Sequence, residues 1–164
     1  MTRSFRMFRL RLLLVLIASS LPLPLFAASC SFITPDGSTL VNFNTVFSLQ
    51  TTPADGQGQI SFSCTPDLLN PLPVNYEISI GPGNAGTFTP RQLMHSSGAT
   101  LDYNLYTDLQ RTQILGDGTV GTTTVSGSCL TLCIPLTVYG RIPINQWGPA
   151  GEYSDTVTVT LEVN

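Results

Sequence analysis

Few residues in this 164-residue chain have the type and spacing to do chemistry. Its one histidine, His95, has no Ser or Cys in a recognised nucleophile motif beside it. A general base needs a nucleophile within reach and a third group to orient it, so a surface or turn histidine is expected. Asp102 and Asp108 fall on one face of a strand pattern, but six extended residues separate them by about 20 Å. That is too far for the paired carboxylates of a glycosidase. Gly81-Pro82-Gly83-Asn84-Ala85-Gly86 lacks the Gly-Lys-Ser/Thr ending of a phosphate loop and reads as a turn. Gly116-Asp117-Gly118 has too few oxygen ligands nearby for calcium. Arg91 and Arg141 are expected to pair structurally with acids such as Asp155 or Asp108. The chain therefore reads as non-enzymatic, with no catalytic residue, cofactor or metal.

The remaining reactive groups are four cysteines, Cys30, Cys64, Cys129 and Cys133. An even count in an exported chain reads as disulfides. Three pairings are open, and Cys30–Cys64 with Cys129–Cys133 is preferred because the short second loop suits a hairpin or bulge. A four-cysteine zinc site is the alternative, weakened because Cys129-x-x-x-Cys133 has no second closely spaced pair.

Export itself is read from the first 28 residues. Arg3, Arg6, Arg9 and Arg11 precede the apolar run Leu12 to Ile17, and small residues end at Ala27 and Ala28, the layout of a secretory signal peptide. Pro22 and Pro24 and the short length argue against a retained membrane span. Cleavage is expected after Ala27 or Ala28, with Ser20 as the alternative. The mature domain, residues 29–164, keeps three arginines against ten acidic residues and no lysine. Such a surface is poorly suited to nucleic acid or anionic lipid, and no membrane insertion is expected after cleavage.

The elements that position these residues are strands. Twelve Pro and fourteen Gly break the chain at short intervals, and no helical periodicity appears beyond the leader. Strands are expected at Leu40 to Phe47, Ile60 to Cys64, Val74 to Ile80, Leu101 to Thr107 and Ile134 to Ile142, with Thr51 to Gln59 a loop. A last strand runs from Tyr153, with Tyr153, Val157, Val159, Leu161 and Val163 on one face and only Asp155 interrupting it. About seven strands at this spacing imply an all-β, broadly immunoglobulin-like antiparallel β-sandwich. The last strand leaves an edge that invites pairing. Trp147, the only tryptophan, is either an exposed contact or, the preferred reading, a cover folded over the core.

Several motifs in order resemble the spore coat protein U family. They are Cys30, Leu40-Val41-Asn42-Phe43-Asn44-Thr45-Val46-Phe47 and Gly58-Gln59-Ile60-Ser61-Phe62-Ser63-Cys64. Tyr76 to Ile80 with a Gly-rich turn and Arg91 comes next, followed by Leu101-Asp102-Tyr103-Asn104-Leu105-Tyr106-Thr107-Asp108. Val138-Tyr139-Gly140-Arg141-Ile142-Pro143 and Gly151-Glu152-Tyr153-Ser154-Asp155 close the series. Asn44 stands where Gly is usual, and Leu115 where Trp is common. The resemblance implies a subunit of a secreted surface fibre, the archaic chaperone–usher pilus, with an immunoglobulin-like fold lacking its final strand. A periplasmic pilus chaperone, an outer-membrane usher and neighbouring subunits would be its partners, and another chain would supply the strand by β-augmentation. The acceptor edge would be Tyr153, Val157, Val159, Leu161 and Val163, with Val41 and Phe43 opposite. Cleavage after Ala27 or Ala28 leaves too little chain before Cys30 to cross a neighbour, so the subunit would accept but not donate, at a tip or cap. Cleavage after Ser20 would instead free Leu21, Leu23 and Leu25 as a donor, against which Pro22 and Pro24 argue. A self-contained spore-coat or extracellular matrix protein is the alternative.

Overall fold

In the computed structural model of the chain, residues 27–33, 40–69, 71–119 and 121–164 are described. Residues 1–26, which hold all of the leader but Ala27 and Ala28 and the Leu21, Leu23 and Leu25 row considered as a donor, lie outside them. Every element among the described residues is a strand: β1 (Ser29–Phe32), β2 (Ala54–Ile60), β3 (Phe62–Thr65), β4 (Val74–Ile80), β5 (Arg91–His95), β6 (Thr100–Tyr106), β7 (Val125–Cys129), β8 (Leu136–Ile142), β9 (Tyr153–Ser154) and β10 (Val159–Val163). All ladders between them are antiparallel, in the orders β2-β8-β6-β5-β9, β10-β4-β7 and β1-β3.

Alternation decides which residues meet in the core. Ile60, Ile80, Leu93, Leu101, Tyr103, Leu105, Leu115, Val138 and Ile142 form one buried cluster. Phe62, Cys64, Val74, Ile78 and Cys133 form a second, and Phe32, Leu136 and Val159 pack against both. Two disulfides lock the second cluster, Cys30–Cys64 and Cys129–Cys133, the preferred pairing. The first closes a loop with a sequence separation of 34, which the chain-entropy model values at about 3–4 kcal/mol.

The expected Ile60 to Cys64 strand breaks at Ser61, with Ile60 ending β2 and Phe62 opening β3. Two further expected elements differ. Ala54–Ile60 is a strand paired along its whole length with β8, where the glycines suggested a loop. Conversely, residues 40–47 carry no ladder. These differences have one cause. Gly56 and Gly140 are directly paired partners, and Gly58 lies two residues on. A Cβ on Gly56 would come 2.6 Å from the Asn42 carbonyl oxygen, and one on Gly58 would come 2.7 Å from that of Leu40. On Gly140 it would meet Phe43 Cζ at 2.6 Å. The three glycines thus leave a smooth window in the sheet, and residues 40–43 lie directly on it. Past the window, Asn44 has φ 56°, in the left-handed region. Asn tolerates that region better than most residues, which accounts for its standing at a position where the family resemblance predicts Gly.

The last strand is also divided. Tyr153–Ser154 pairs with β5, whereas Val159–Val163 pairs with β4, so the chain changes sheet between them. Asp155, the residue that interrupts the apolar face, anchors the crossing. Its carboxylate accepts from Tyr103 Oη at 2.6 Å and from the Asn84 and Thr156 amides at 2.9 and 2.8 Å. The Gly81–Gly86 segment turns as expected, and Gly83 has no side chain where the Asp155 carboxylate passes.

Arg91 does not meet an acid as its hydrogen-bond partner. It is fully buried and donates to the Gly81 and Leu115 carbonyls and to Asn104 Oδ1 at 2.7 to 3.2 Å. With few acids in the interior, main-chain oxygens take that role. Burial lowers its pKa, with nearby Tyr103, Asp155 and Asp117 opposing. Arg141 pairs across the ladder with Asp55 at 2.7 Å, not with Asp108 or Asp155, and Arg111 approaches the same carboxylate at 3.3 Å. The Arg141 hydrogen bond holds the Asp55 carboxyl below its usual range despite some burial.

Candidate functional site: an open strand edge

The apolar row of the final segment keeps its period through the change of sheet. From Tyr153 to Glu162 odd-numbered residues are half-buried and even-numbered ones exposed, including residues 155–158, which carry no ladder. Tyr153, Val157 and Val159 pack on the first cluster, and Val159 and Leu161 on the second. Val163, at the strand end opposite Tyr76, remains 41% exposed. The row is therefore in contact with the core but not covered by it.

Backbone polarity matches. Gly81 N donates to Thr158 O at 2.8 Å and Asn164 N to Asn75 O at 3.0 Å, on either side of the pairs Thr160↔Ser79 and Glu162↔Glu77. In an antiparallel ladder, alternate residues turn both polar groups the same way. Thr160 and Glu162 thus face β4, and Val159, Leu161 and Val163 direct N–H and C=O to the outer edge. Among the described residues no ladder occupies that edge. Across from it lies β1, which among the described residues pairs only with β3, approaches β10 without a ladder, and turns Cys30 and Phe32, with the preceding Ala28, into the second cluster. The sequence reading assigned Cys30 only to a disulfide and missed β1 as a border. Its alternation extends over too few residues to stand out.

Val41 and Phe43 are half-buried against the first cluster, over the glycine window of the β2–β8 ladder rather than on a strand edge. With Tyr153 they line a cleft of about 1060 Å³ floored by Leu93, Leu101 and Ile142. Phe43 meets Tyr103 edge-on at 6.0 Å. Val157, Val159, Leu161 and Val163 do not line this cleft. The seven predicted edge residues are thus not brought together: Val41, Phe43 and Tyr153 line the cleft, and the other four lie outside it.

The chemical candidates stay apart. His95 lies in β5, its Nδ1 2.7 Å from Ser97 Oγ and its ring 5.0 Å from Tyr153. Asp102 accepts from Gln92, and Asp108 ties the turn at Thr112 and Gln113. Asp117 binds Thr119 within its own loop. Trp147 is 73% exposed, which overturns the preferred reading of it as a core cover. Its neighbours Pro143, Gln146, Gly148 and Pro149 line the cleft wall, and that holds the loop's tip outward.

The spore coat protein U domain model matches residues 17–160, and the chain belongs to that family. "Protein U" of Myxococcus xanthus is 32% identical over 109 residues, covering 65% of this chain. The chain spans about 59% of that relative's length. Among solved structures, one similar chain is from the CsuC–CsuE chaperone–tip adhesion subunit pre-assembly complex of archaic chaperone–usher Csu pili of Acinetobacter baumannii. It has 17% identity and a TM-score of 0.46, and the match covers 82% of this chain and 40% of that one. Another is from a chaperone–tip adhesin complex of CFA/I fimbriae, with 13% identity, a TM-score of 0.49, and 84% and 43% coverage.

Proposed function

We propose that this member of the spore coat protein U domain family is a non-enzymatic structural subunit of a secreted chaperone–usher fibre. In this reading a periplasmic chaperone, and after it a neighbouring subunit, adds a strand to β10. The single observation that carries it is the coincidence on β10 of two unmet needs. Val159, Leu161 and Val163 turn outward main-chain groups that have no ladder partner among the described residues, while their side chains belong to a half-covered apolar row. An added strand supplies hydrogen bonds along the edge and alternate side chains to the row. Cleavage after Ala27 or Ala28 makes the subunit an acceptor without a donor, suited to a tip or cap; intact mass of the secreted protein tests this, and a start near Leu21 contradicts it.

Co-expression with a periplasmic pilus chaperone and an outer-membrane usher tests the main reading. The chaperone is expected to co-purify from periplasm, and Val159→Asp with Leu161→Asp is expected to abolish capture. A folded monomer that captures neither partner would contradict the proposal. That outcome would favour a self-contained coat or matrix protein, a reading supported by residues 40–43, which already cover the glycine window.

A further inference from the structure

The two disulfides are neighbours in space. Cys133 Sγ lies 3.6 Å from Cys64 Sγ, and the sulfurs of Cys64, Cys129 and Cys133 all fall within 4.8 Å of one another. The approach is held by the backbone: Cys64 N donates to Thr131 O at 2.8 Å, and Ser63 bridges to Leu132. Accessibility is uneven. Cys64 and Cys133 are each 3% exposed, whereas Cys129 is half-buried. A thiolate from solvent therefore reaches the Cys129–Cys133 bond at Cys129, as it would reach Cys30–Cys64 at the equally half-buried Cys30, and attack at Cys129 makes the sulfur beside Cys64 the leaving group.

We propose that this cluster is a thiol–disulfide exchange site whose co-substrate is a small external dithiol. The dithiol's thiolate attacks Cys129 Sγ, the Cys129–Cys133 bond breaks, and Cys133 leaves as a thiolate. Cys133 attacks Cys64 Sγ, a Cys64–Cys133 bond forms, and Cys30 leaves as a thiolate. The second sulfur of the dithiol then displaces Cys129. The dithiol is oxidised to its disulfide, one protein disulfide is reduced, and the two protons pass to Cys30 and Cys129. Exchange of this kind proceeds by thiolate attack on a disulfide sulfur through a mixed disulfide. The outcome transfers the covalent tie on β3 from β1 to the Cys133 loop, so β1, a border of the open edge, is held by its ladder alone. The chemistry is independent of the proposed fibre role.

The test uses the wild-type secreted protein with limiting dithiothreitol, an acid quench, N-ethylmaleimide labelling and peptide mapping of the species carrying two free thiols. Label on Cys30 and Cys129 with a Cys64–Cys133 linkage is expected. Label on Cys129 and Cys133, or on Cys30 and Cys64, shows reduction without transfer and overturns the proposal. So does the absence of any thiol before the fold is lost. A Cys129→Ser variant provides a second arm without reductant. Cys133 is then the odd thiol, and label is expected to appear on Cys30; label on Cys133 alone overturns the proposal.

Discussion

Gly56→Ala is the sharpest perturbation of the layer that residues 40–43 form on the sheet. In a strand interior, replacing Gly by Ala ordinarily stabilises by about 0.5–1 kcal/mol, because the unfolded chain loses freedom. Here the new Cβ would meet the Asn42 carbonyl oxygen at 2.6 Å, its carbon at 3.1 Å and Phe43 Cδ1 at 3.2 Å. The first atom to yield is main chain, one residue from Phe43 and two from the left-handed Asn44. It has no rotamer by which to escape. Overpacking of this kind costs about 1–3 kcal/mol, so the clash outweighs the entropic gain and leaves a net loss of about 1–2 kcal/mol. Gly81 provides the control: a Cβ there would meet only ordinary contacts, at 3.6 Å and beyond, so Gly81→Ala is expected to be neutral or slightly stabilising. Urea denaturation of both variants, read by tyrosine and tryptophan fluorescence, measures the difference. Equal stability of Gly56→Ala and Gly81→Ala would refute the close packing of residues 40–43 on the window.

Three further outcomes follow from the interior and the cross-strand ion pair. Arg91→Leu strands three acceptors that the guanidinium now satisfies, and thermal unfolding is expected to show a loss on the order of 3 kcal/mol. Burial first, and then the bond to Asp155, raises the Tyr103 hydroxyl well above the ordinary tyrosine range. A raised pKa gives stability that is full below the unfolded tyrosine value of about 10 and is lost as pH climbs through and above it. Tyr103→Phe should therefore flatten the alkaline limb of a pH–stability profile while lowering stability near neutrality. Asp55 is depressed, so its contribution holds above the ordinary carboxylate range and is lost as pH falls below it; Asp55→Asn should flatten the acid limb.

The strands legible in the sequence are those whose alternation comes from packing on one side. Val74–Ile80 matches its expected bounds, and Leu101 to Thr107 and Ile134 to Ile142 are each displaced by no more than two residues. Gly56 and Gly58 misled because glycine marks both a turn and a place where another chain segment lies close, and only the third dimension separates the two. Asp155 was visible as an interruption, but a change of sheet depends on partners at Tyr103 and Asn84 that lie far away in sequence. Arg91 could not be assigned carbonyl partners because backbone oxygens have no residue signature. The alternation from Tyr153 to Leu161 was legible because its period survives where its ladder does not, whereas the change of sheet within it was not.

The proposed acceptor edge is most directly tested by residue-resolved amide hydrogen exchange on the protein, alone and bound to a captured pilus chaperone. In the free subunit the amides of Thr160 and Glu162, bonded to β4, should exchange slowly. Those of Val159, Leu161 and Val163 should exchange rapidly, and capture should protect these three selectively. Equal protection of all five in the free subunit, or no gain at the three odd positions on capture, would contradict an open acceptor edge on β10.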